Sequence, residues 1–367
     1  MNYTIDQNAG ISAYMQLYNQ LVRDITTGIY PFGKKLPSKR TIAAEVGLSV
    51  ITVEHALALL SDEGYVEARE RSGYFVIYRE SEFFSERKEP DARKAQEPLR
   101  IIRHQESVDS EFPYGVMAKT IRRVLMDYGE QILVKSPNHG CGELRQEICS
   151  YLARSRGILV KPSQVIVGSG AEYLYGLIAQ LIGRHRKFAI EQPCYDKIPK
   201  VYAAMGITTD PLNLTADGIA TSALEKTDAT VLHVTPFNSF PSGISVSISK
   251  KKEYLRWAKE HNAILIEDNY DSELTVLKKA EDTLFSMAAG VRVLYVNTFS
   301  KTIAPSMRIG YLLLPEDMTD LFNERLGFYS CTVPLFEQYV LAELLRSGDF
   351  ERHINRVRRK KRKLEQM

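Results

Sequence analysis

The sequence has few cysteines, no long apolar run and almost no net charge. Its four cysteines show neither a C-x-x-C pair nor a zinc-binding spacing, so reduced thiols and no metal site are expected. No apolar run is long enough to span a bilayer and residues 1–4 are polar, which predicts a cytoplasmic protein without a membrane partner. Because the net charge is only +3, any affinity for nucleic acid must come from a local patch.

What is present is the composition of an ordinary globular chain. Hydrophobic residues make up 44% and charged residues 25% of its 367 residues, a length that predicts two or three domains with a large core. The residue patterns divide the chain into a first domain at 1–79, a linker at 80–104 and a larger domain at 105–367. Charged residues and prolines dominate the linker, which predicts a flexible connection.

The first domain has the pattern of three short helices followed by a hairpin. Apolar residues at helical spacing predict a helix that ends before Gly28. Ser38 stands at the N-cap of a second helix that Gly47 ends, and Ser49 caps a third helix. Two short helices around Gly47 are typical of a helix-turn-helix. The alternation from Gly64 to Val76 predicts a β-hairpin.

Four short motifs mark this domain. They are Leu36-Pro37-Ser38-x-Arg40, Gly47-Leu48-Ser49, Gly64-Tyr65 and Gly73-Tyr74-Phe75-Val76. Together they resemble the GntR-type winged helix. The resemblance implies that the third helix enters the major groove of double-stranded promoter DNA and that the hairpin is the wing. On the residues alone, a small protein-interaction domain is the alternative.

The resemblance also implies a set of DNA contacts from the two helices and the wing. These contacts are Ser38, Arg40, Ser49, Thr52, His55, Arg69, Arg71 and Gly73. The family commonly has arginine directly after the capping serine, where this chain has Val50, so one contact is missing or moved. For His55, a solvated helix face is the equal alternative to a base contact.

The larger domain begins with the alternating strands and helices of an α/β fold. Strands are predicted at 164–167, 188–190 and 231–234. Gly168-Ser169-Gly170-Ala171 follows the first of them and leads into a helix. Backbone N–H groups at such a helix start form an anion site, although a simple strand-to-helix turn has the same pattern.

A buried strand, Ala263–Ile266, ends in an acidic cluster. Asp268 and Tyr270 follow it directly, at the edge of the sheet where α/β folds bind ligands. The cluster therefore predicts a ligand site. On this pattern alone, an acidic loop or a metal site is the alternative.

The next predicted strand, Val291–Val296, delivers Lys301 to a loop. The hydroxyls of Thr298 and Ser300 precede that lysine and Arg308 follows it. A lysine that forms a Schiff base must become neutral, which nearby positive charge and partial burial favour. Arginine and hydroxyl groups suit a phosphate dianion. On spacing alone, a lysine and an arginine on the surface are equally compatible.

Thr298-Phe299-Ser300-Lys301 followed by Arg308-Ile309-Gly310-Tyr311 resembles the pyridoxal-phosphate lysine motif of fold-type I aminotransferases. The resemblance implies that pyridoxal 5'-phosphate is covalently bound to Lys301 and that Arg308 holds its phosphate. It also implies that Asp268 pairs with the pyridine nitrogen, Tyr270 bonds the phenolic oxygen and Tyr195 stacks on the ring. The implied contacts around the lysine and the phosphate are Thr298, Ser300, Ser169, Gly170 and Ala171.

One position departs from the aminotransferase pattern. The family usually has asparagine, which binds the phenolic oxygen of the cofactor, directly before Pro-Ser/Thr-Gly. Phe240 occupies that position here, and Asn238 lies nearby. Asn238 is therefore the candidate substitute.

A chain that combines these two resemblances is similar to bacterial transcription regulators of the MocR/GabR type. They imply an α/β fold class, with an N-terminal winged helix-turn-helix and a fold-type I transferase-like domain that has a mostly parallel sheet. The expected function is ligand sensing in a homodimer rather than catalysis, with residual transamination left open. The expected effector is a small amine, an amino acid or pyridoxal phosphate itself. The alternative is a pyridoxal-phosphate-dependent aminotransferase with an appended DNA-binding head.

The chain ends in a basic stretch, residues 351–363. In such regulators a similar helix leads into a further small domain, so either a C-terminal truncation or another way of holding the effector is expected. That further domain usually supplies the arginine that grips a substrate carboxylate. The basic stretch is either a solvated helix face or a second DNA contact.

Overall fold

A computed structural model of the chain describes residues 3–6, 11–79, 112–275 and 282–365. The predicted linker at 80–104 lies outside the described residues. The chain divides into two compact units, Met1–His104 and Gln105–Met367. The domain bounds inferred from the sequence stay a prediction.

The first unit is a three-helix domain with a two-stranded hairpin. Its elements are α1 (Ala13–Thr26), α2 (Lys39–Val46), α3 (Val50–Asp62), β1 (Val66–Arg69) and β2 (Gly73–Val76). The two strands are antiparallel. The apolar faces of all three helices pack into one core around residues such as Leu17, Leu57 and Val66. The winged helix-turn-helix prediction is confirmed.

The capping residues of this unit define its helix-turn-helix. The hydroxyl oxygens of Ser38 and Ser49 each accept a hydrogen bond of 3.1 Å from a backbone N–H in the first turn of their helices. Gly47 ends α2 with a φ of 71°, a left-handed conformation that glycine adopts without strain. Helices α2 and α3 meet at a bend of 119°, within the range of DNA-binding helix pairs.

The second unit is built on one mixed sheet of eight strands. Its strands are β3 (Val165–Gly168), β4 (Phe188–Gln192), β5 (Thr209–Thr215), β6 (Gly218–Ile219), β7 (Val231–Val234), β8 (Ile264–Asp268), β9 (Val293–Thr298) and β10 (Gly310–Leu313). Their order is β3-β10-β9-β8-β7-β4-β5-β6. Strands β9, β8, β7, β4 and β5 are parallel, and β10 is antiparallel to both of its neighbours. The prediction of a mostly parallel sheet is confirmed.

Helices cover both faces of this sheet. They are α4 (Tyr114–Tyr128), α5 (Gly142–Arg156), α6 (Ala171–Ile182), α7 (Lys197–Ala204), α8 (Thr221–Lys226), α9 (Ile248–Glu260), α10 (Leu284–Met287), α11 (Thr319–Leu326), α12 (Leu335–Arg346) and α13 (Asp349–Glu365). Ile264 and Ile266 of β8 join one buried cluster, while Leu265 between them joins another. The central strands are therefore buried on both faces, which explains their continuous apolar runs.

No single helix among the described ranges is both long and apolar enough to cross a membrane. Helices α2 and α3 pass that test only together, as the bent pair described above.

Candidate functional site

A cavity of about 250 Å³ lies in the second unit where β8 and β9 end. These strands are parallel neighbours, with Asp268 opposite Val296, so their carboxyl ends deliver side chains to the same edge of the sheet. The cavity is lined by Ala171, Glu172, Tyr175, Tyr195, Thr235, Phe240, Asp268, Tyr270, Thr298, Ser300, Lys301 and Arg308. Most of the predicted cofactor residues thus lie around one cavity.

Lys301 lies on the loop that connects β9 to β10. Its Nζ is 4.7 Å from the centre of the Tyr270 ring. Thr298, the last residue of β9, is buried beside this loop. The hydroxyl of Ser300 donates a 3.3 Å hydrogen bond to the carbonyl of Met307, which ties the lysine end of the loop to its arginine end.

Asp268 is only 2% exposed and belongs to a buried polar network. The hydroxyl of Tyr175 donates a hydrogen bond to its carboxylate, and Nε2 of His233 lies 3.8 Å from the same oxygen. Nδ1 of His233 is 2.7 Å from the hydroxyl of Tyr202. Burial, and then the nearby Asp268, raise the pKa of Tyr175, so this tyrosine remains a hydrogen-bond donor.

The sequence interpretation missed Tyr175, His233 and Tyr202. Tyr175 lies in the apolar helix α6 and His233 in the apolar strand β7, so both have the appearance of ordinary core residues. The only signal in the sequence was a single histidine inside a buried strand. That signal is weak because structural histidines are common in cores.

Arg308 lies at the other end of the cavity, against the turn that precedes α6. A Cβ atom added to Gly170 would lie 2.9 Å from Nη2 of Arg308, and Gly170 has a φ of +95°. Glycine is therefore required for the guanidinium to approach the backbone this closely. The backbone of Gly170, the helix start and the guanidinium together form a cradle for an anion.

Glu172, on the first turn of α6, completes this end of the cavity. Its carboxylate lies 2.6 Å from Nη2 of Arg308 and 2.6 Å from Nζ of Lys197. Burial opposes its ionisation, but hydrogen bonds from Lys197, its own backbone N–H and Arg308 outweigh burial and lower the pKa of Glu172 to about 2. The pKa of Lys197 is raised to about 12 by its hydrogen bond with Glu172.

Tyr195, Tyr270 and Phe240 form the aromatic part of the lining. The rings of Tyr195 and Phe240 meet edge to face, with centres 6.4 Å apart. The hydroxyl of Tyr270 donates a 2.8 Å hydrogen bond to the carbonyl of Asn238. Burial raises the pKa of Tyr270, so its hydroxyl stays protonated.

Two predicted cofactor contacts do not reach the cavity through their side chains. The Asn238 amide donates to the carboxylate of Asp271, and its backbone has a left-handed φ of 50° that the sequence did not reveal. The N–H of Ser169 donates to the hydroxyl of Thr332, which in turn donates to Oγ of Ser169. The Asn238 side chain is thus engaged with Asp271 in this structure, and its role toward the cofactor stays a prediction.

The residues present fit pyridoxal phosphate. The cavity combines the amine of Lys301 with the buried carboxylate of Asp268, which Tyr175 holds. It also has an anion cradle at Gly170, where an added Cβ would meet the Arg308 guanidinium. No group of three or more His, Cys, Asp or Glu side chains in the described part of the chain is arranged to hold a metal ion. The lining suits a small anionic ring compound.

The predicted DNA contacts lie on the first unit. Arg40, Ser49 and His55 are exposed, and Thr52 is half-buried with its hydroxyl 2.8 Å from Oγ of Ser49. The structure also exposes 67% of Ile51 at the start of α3, which the sequence interpretation did not single out. An apolar side chain at this position suits contact with a thymine methyl group.

The wing residues lie around the turn between β1 and β2. Arg69 bonds Glu67 at 2.9 Å and lies over the ring of Phe75. Arg71 has a φ of 56° and Gly73 a φ of 106°. These conformations make the tight turn, and they leave Arg69 and Arg71 exposed.

Two family models match the chain. Residues 13–76 match bacterial regulatory proteins of the gntR family, and residues 110–367 match aminotransferase class I and II. The two matches cover the winged helix and the sheet domain respectively.

Two curated relatives match along nearly the whole chain. A helix-turn-helix transcriptional regulator of Bacillus subtilis, YdeL, is 33% identical over 99% of this chain and 79% of its own length. The pyridoxine biosynthesis regulator PdxR of Corynebacterium glutamicum is 29% identical over 94% of this chain and 75% of its own length.

A solved structure, the kynurenine aminotransferase of Pyrococcus horikoshii, resembles the fold with a TM-score of 0.62. It is 21% identical, over 76% of this chain and 74% of that chain. The likeness concerns the fold alone.

Proposed function

We propose a sensing function for this chain, which belongs to the aminotransferase class I and II family and, with its gntR-family head, to the MocR-type helix-turn-helix transcription regulators. In this proposal the chain senses a ligand through pyridoxal phosphate bound at Lys301. The observation that supports the proposal is that Lys301, Asp268 and Arg308 line one cavity. The winged helix supplies the promoter-binding part of this function.

Each side chain has a defined role in this proposal. Lys301 would hold the cofactor through its amine, by condensation with the aldehyde and loss of one water. Arg308 and the Gly170 turn would hold the phosphate, and Asp268, held by Tyr175, would pair with the pyridine nitrogen. When bound, pyridoxal phosphate supplies an electron sink and an aldehyde that reacts with amines.

Sensing, rather than turnover, is the proposed use of this site. A ligand that reacts with the cofactor competes with Lys301, and the freed lysine is a change inside the protein that can favour one conformation over another. PdxR is named for pyridoxine biosynthesis, so vitamin B6 compounds are the first effectors to test, followed by amines and amino acids.

We further propose a homodimer, since symmetric regulators bind repeated half-sites.

An absorbance spectrum of the purified protein tests the proposal. We expect a visible band from the cofactor bound to Lys301, a shift of that band with an effector amine, and a borohydride-fixed label on Lys301. Lys301→Ala should lose the covalent band while retaining some cofactor through Arg308. A wild-type protein that shows no band after incubation with pyridoxal phosphate would refute the proposal.

The alternative is an aminotransferase with an appended DNA-binding head, and the match of residues 110–367 to aminotransferase class I and II supports it. Multiple turnovers with a common amino acid and a keto acid would establish that alternative.

A further inference from the structure

Glu172 places a negative charge where the cofactor phosphate is expected to bind. Its two carboxylate oxygens accept from different cations, Oε1 from Lys197 and Oε2 from Arg308, each at 2.6 Å. The side chain is only 24% exposed. Glu172 therefore places an anion in direct contact with the guanidinium in the lining of the cavity.

Several features stabilise the ionised form of this side chain. The carboxylate lies at the start of α6, a helix of 12 residues, whose N-terminus favours negative charge. The low pKa of Glu172 follows from the bonds to Lys197, to its own N–H and to Arg308. Glu172 is consequently charged throughout the physiological pH range.

A phosphate would use the same groups. Arg308 rests against Gly170, where a Cβ would lie 2.9 Å from its Nη2, so a phosphate on this guanidinium and the start of α6 would lie close to the Glu172 carboxylate. Like charges at such distances repel in a partly buried site. The phosphate and Glu172 therefore compete for Arg308.

We propose that Glu172 is an internal competitor for the phosphate position. Its carboxylate holds Arg308 until a phosphate-bearing ligand displaces the carboxylate, and this competition weakens retention of that ligand. Lys197, at the start of α7, keeps its bond to Glu172 when Arg308 is released. The inference rests on the proposed cofactor site and adds the residue that tunes its affinity. Weaker retention suits a sensor because a sensor must release its ligand when the concentration falls.

Equilibrium titrations with two probes test this role. We expect Glu172→Gln and Glu172→Ala to bind pyridoxal phosphate about tenfold more tightly than wild type, because a repelling charge near the phosphate is removed. The affinity for pyridoxal, which lacks the phosphate, should stay unchanged. Glu316→Gln is the matched control, since Glu316 is an exposed carboxylate paired with Lys161 outside the cavity.

A competition experiment with inorganic phosphate gives a second readout. The inhibition constant of phosphate, obtained from the competition after correction for the affinity of pyridoxal phosphate, should be about tenfold lower in Glu172→Gln than in wild type, because the same repelling charge is removed. Unchanged or weaker binding of pyridoxal phosphate by both folded Glu172 variants would overturn this inference and would assign Glu172 a supporting role for Arg308. Failure of the wild-type protein itself to bind pyridoxal phosphate would instead overturn the proposed function, and this inference with it.

Discussion

At the scale of single residues, two side chains hold polar groups of the cavity in place, since Tyr175 bonds Asp268 and Glu172 bonds Arg308. Lys301, Asp268 and Arg308 were recognisable because each stands directly after a buried strand or in a short motif. Tyr175 and Glu172, which bond Asp268 and Arg308, were not recognisable. Their partners lie far away along the chain, and spacing in the sequence contains no information about such contacts.

Glu191 is a buried carboxyl group with a testable effect on stability. Its Oε2 accepts a 2.8 Å hydrogen bond from Ser239, and burial raises the pKa of Glu191 from 4.5 to about 8. Between these two values the folded state keeps a proton that the unfolded state has lost, so the free energy of unfolding falls as pH rises and levels off above about 8.

Glu191→Gln cannot ionise, so its stability should fall less than that of wild type between about pH 5 and pH 8. The expected difference is at most a few kcal/mol, measured by denaturant unfolding across that range. Glu316→Gln, an exposed carboxylate change, should follow the wild-type profile. Identical pH profiles for wild type and Glu191→Gln would contradict the burial argument.

At the scale of elements, the turn before α6 links backbone conformation to the anion cradle. Gly170→Ala should destabilise the protein by about 1–2 kcal/mol, because alanine is strained at positive φ. It should also weaken pyridoxal phosphate binding by moving Arg308, whose Nη2 lies 2.9 Å from the new Cβ position. Thermal unfolding and absorbance titration measure the two effects.

The matched control for that change is Gly142→Ala. Gly142 begins α5 and has no atom within 4 Å of an added Cβ, so the change should leave both stability and cofactor binding near wild type. Equal behaviour of the two alanine variants would mean that Arg308 does not depend on the Gly170 turn.

Four of the parallel strands, β4, β7, β8 and β9, were predictable from the sequence, whereas β5 and β10 were not. The apolar runs of β4, β7, β8 and β9 are buried on both faces and are typical of central strands. Strand β5 contains Pro211, which is unfavourable in a central strand. One of its two neighbours in the sheet is the short strand β6. Strand β10 follows the Arg308 motif, and its antiparallel place between β3 and β9 depends on contacts distant in sequence.

At the scale of the whole molecule, the winged helix and the aminotransferase-like domain belong to two separate compact units. Because the net charge of the chain is only +3, DNA affinity requires a local basic patch, and we expect the basic residues of the winged helix to supply it. The double variant that combines Arg40→Ala and Arg69→Ala should weaken operator binding. The slope of the logarithm of affinity against the logarithm of salt concentration should fall by about one for each DNA phosphate that the variant no longer neutralises.

Titrations of operator duplex over a range of salt concentrations measure that slope. Arg154→Ala removes an exposed arginine of the second unit that pairs with Glu351, and it should leave the slope unchanged. An unaltered slope in the winged-helix variant would place the DNA-binding surface elsewhere.

Occupancy of Lys301 is proposed to change DNA binding. Operator affinity with and without pyridoxal phosphate and candidate amines measures this coupling directly. Wild-type affinity should change by roughly 5- to 150-fold between ligand states, the usual range of coupling between two sites. The affinity of Lys301→Ala should respond much less. Equal affinity of the wild-type protein under all ligand conditions would contradict the claim and leave the aminotransferase-like domain as a scaffold.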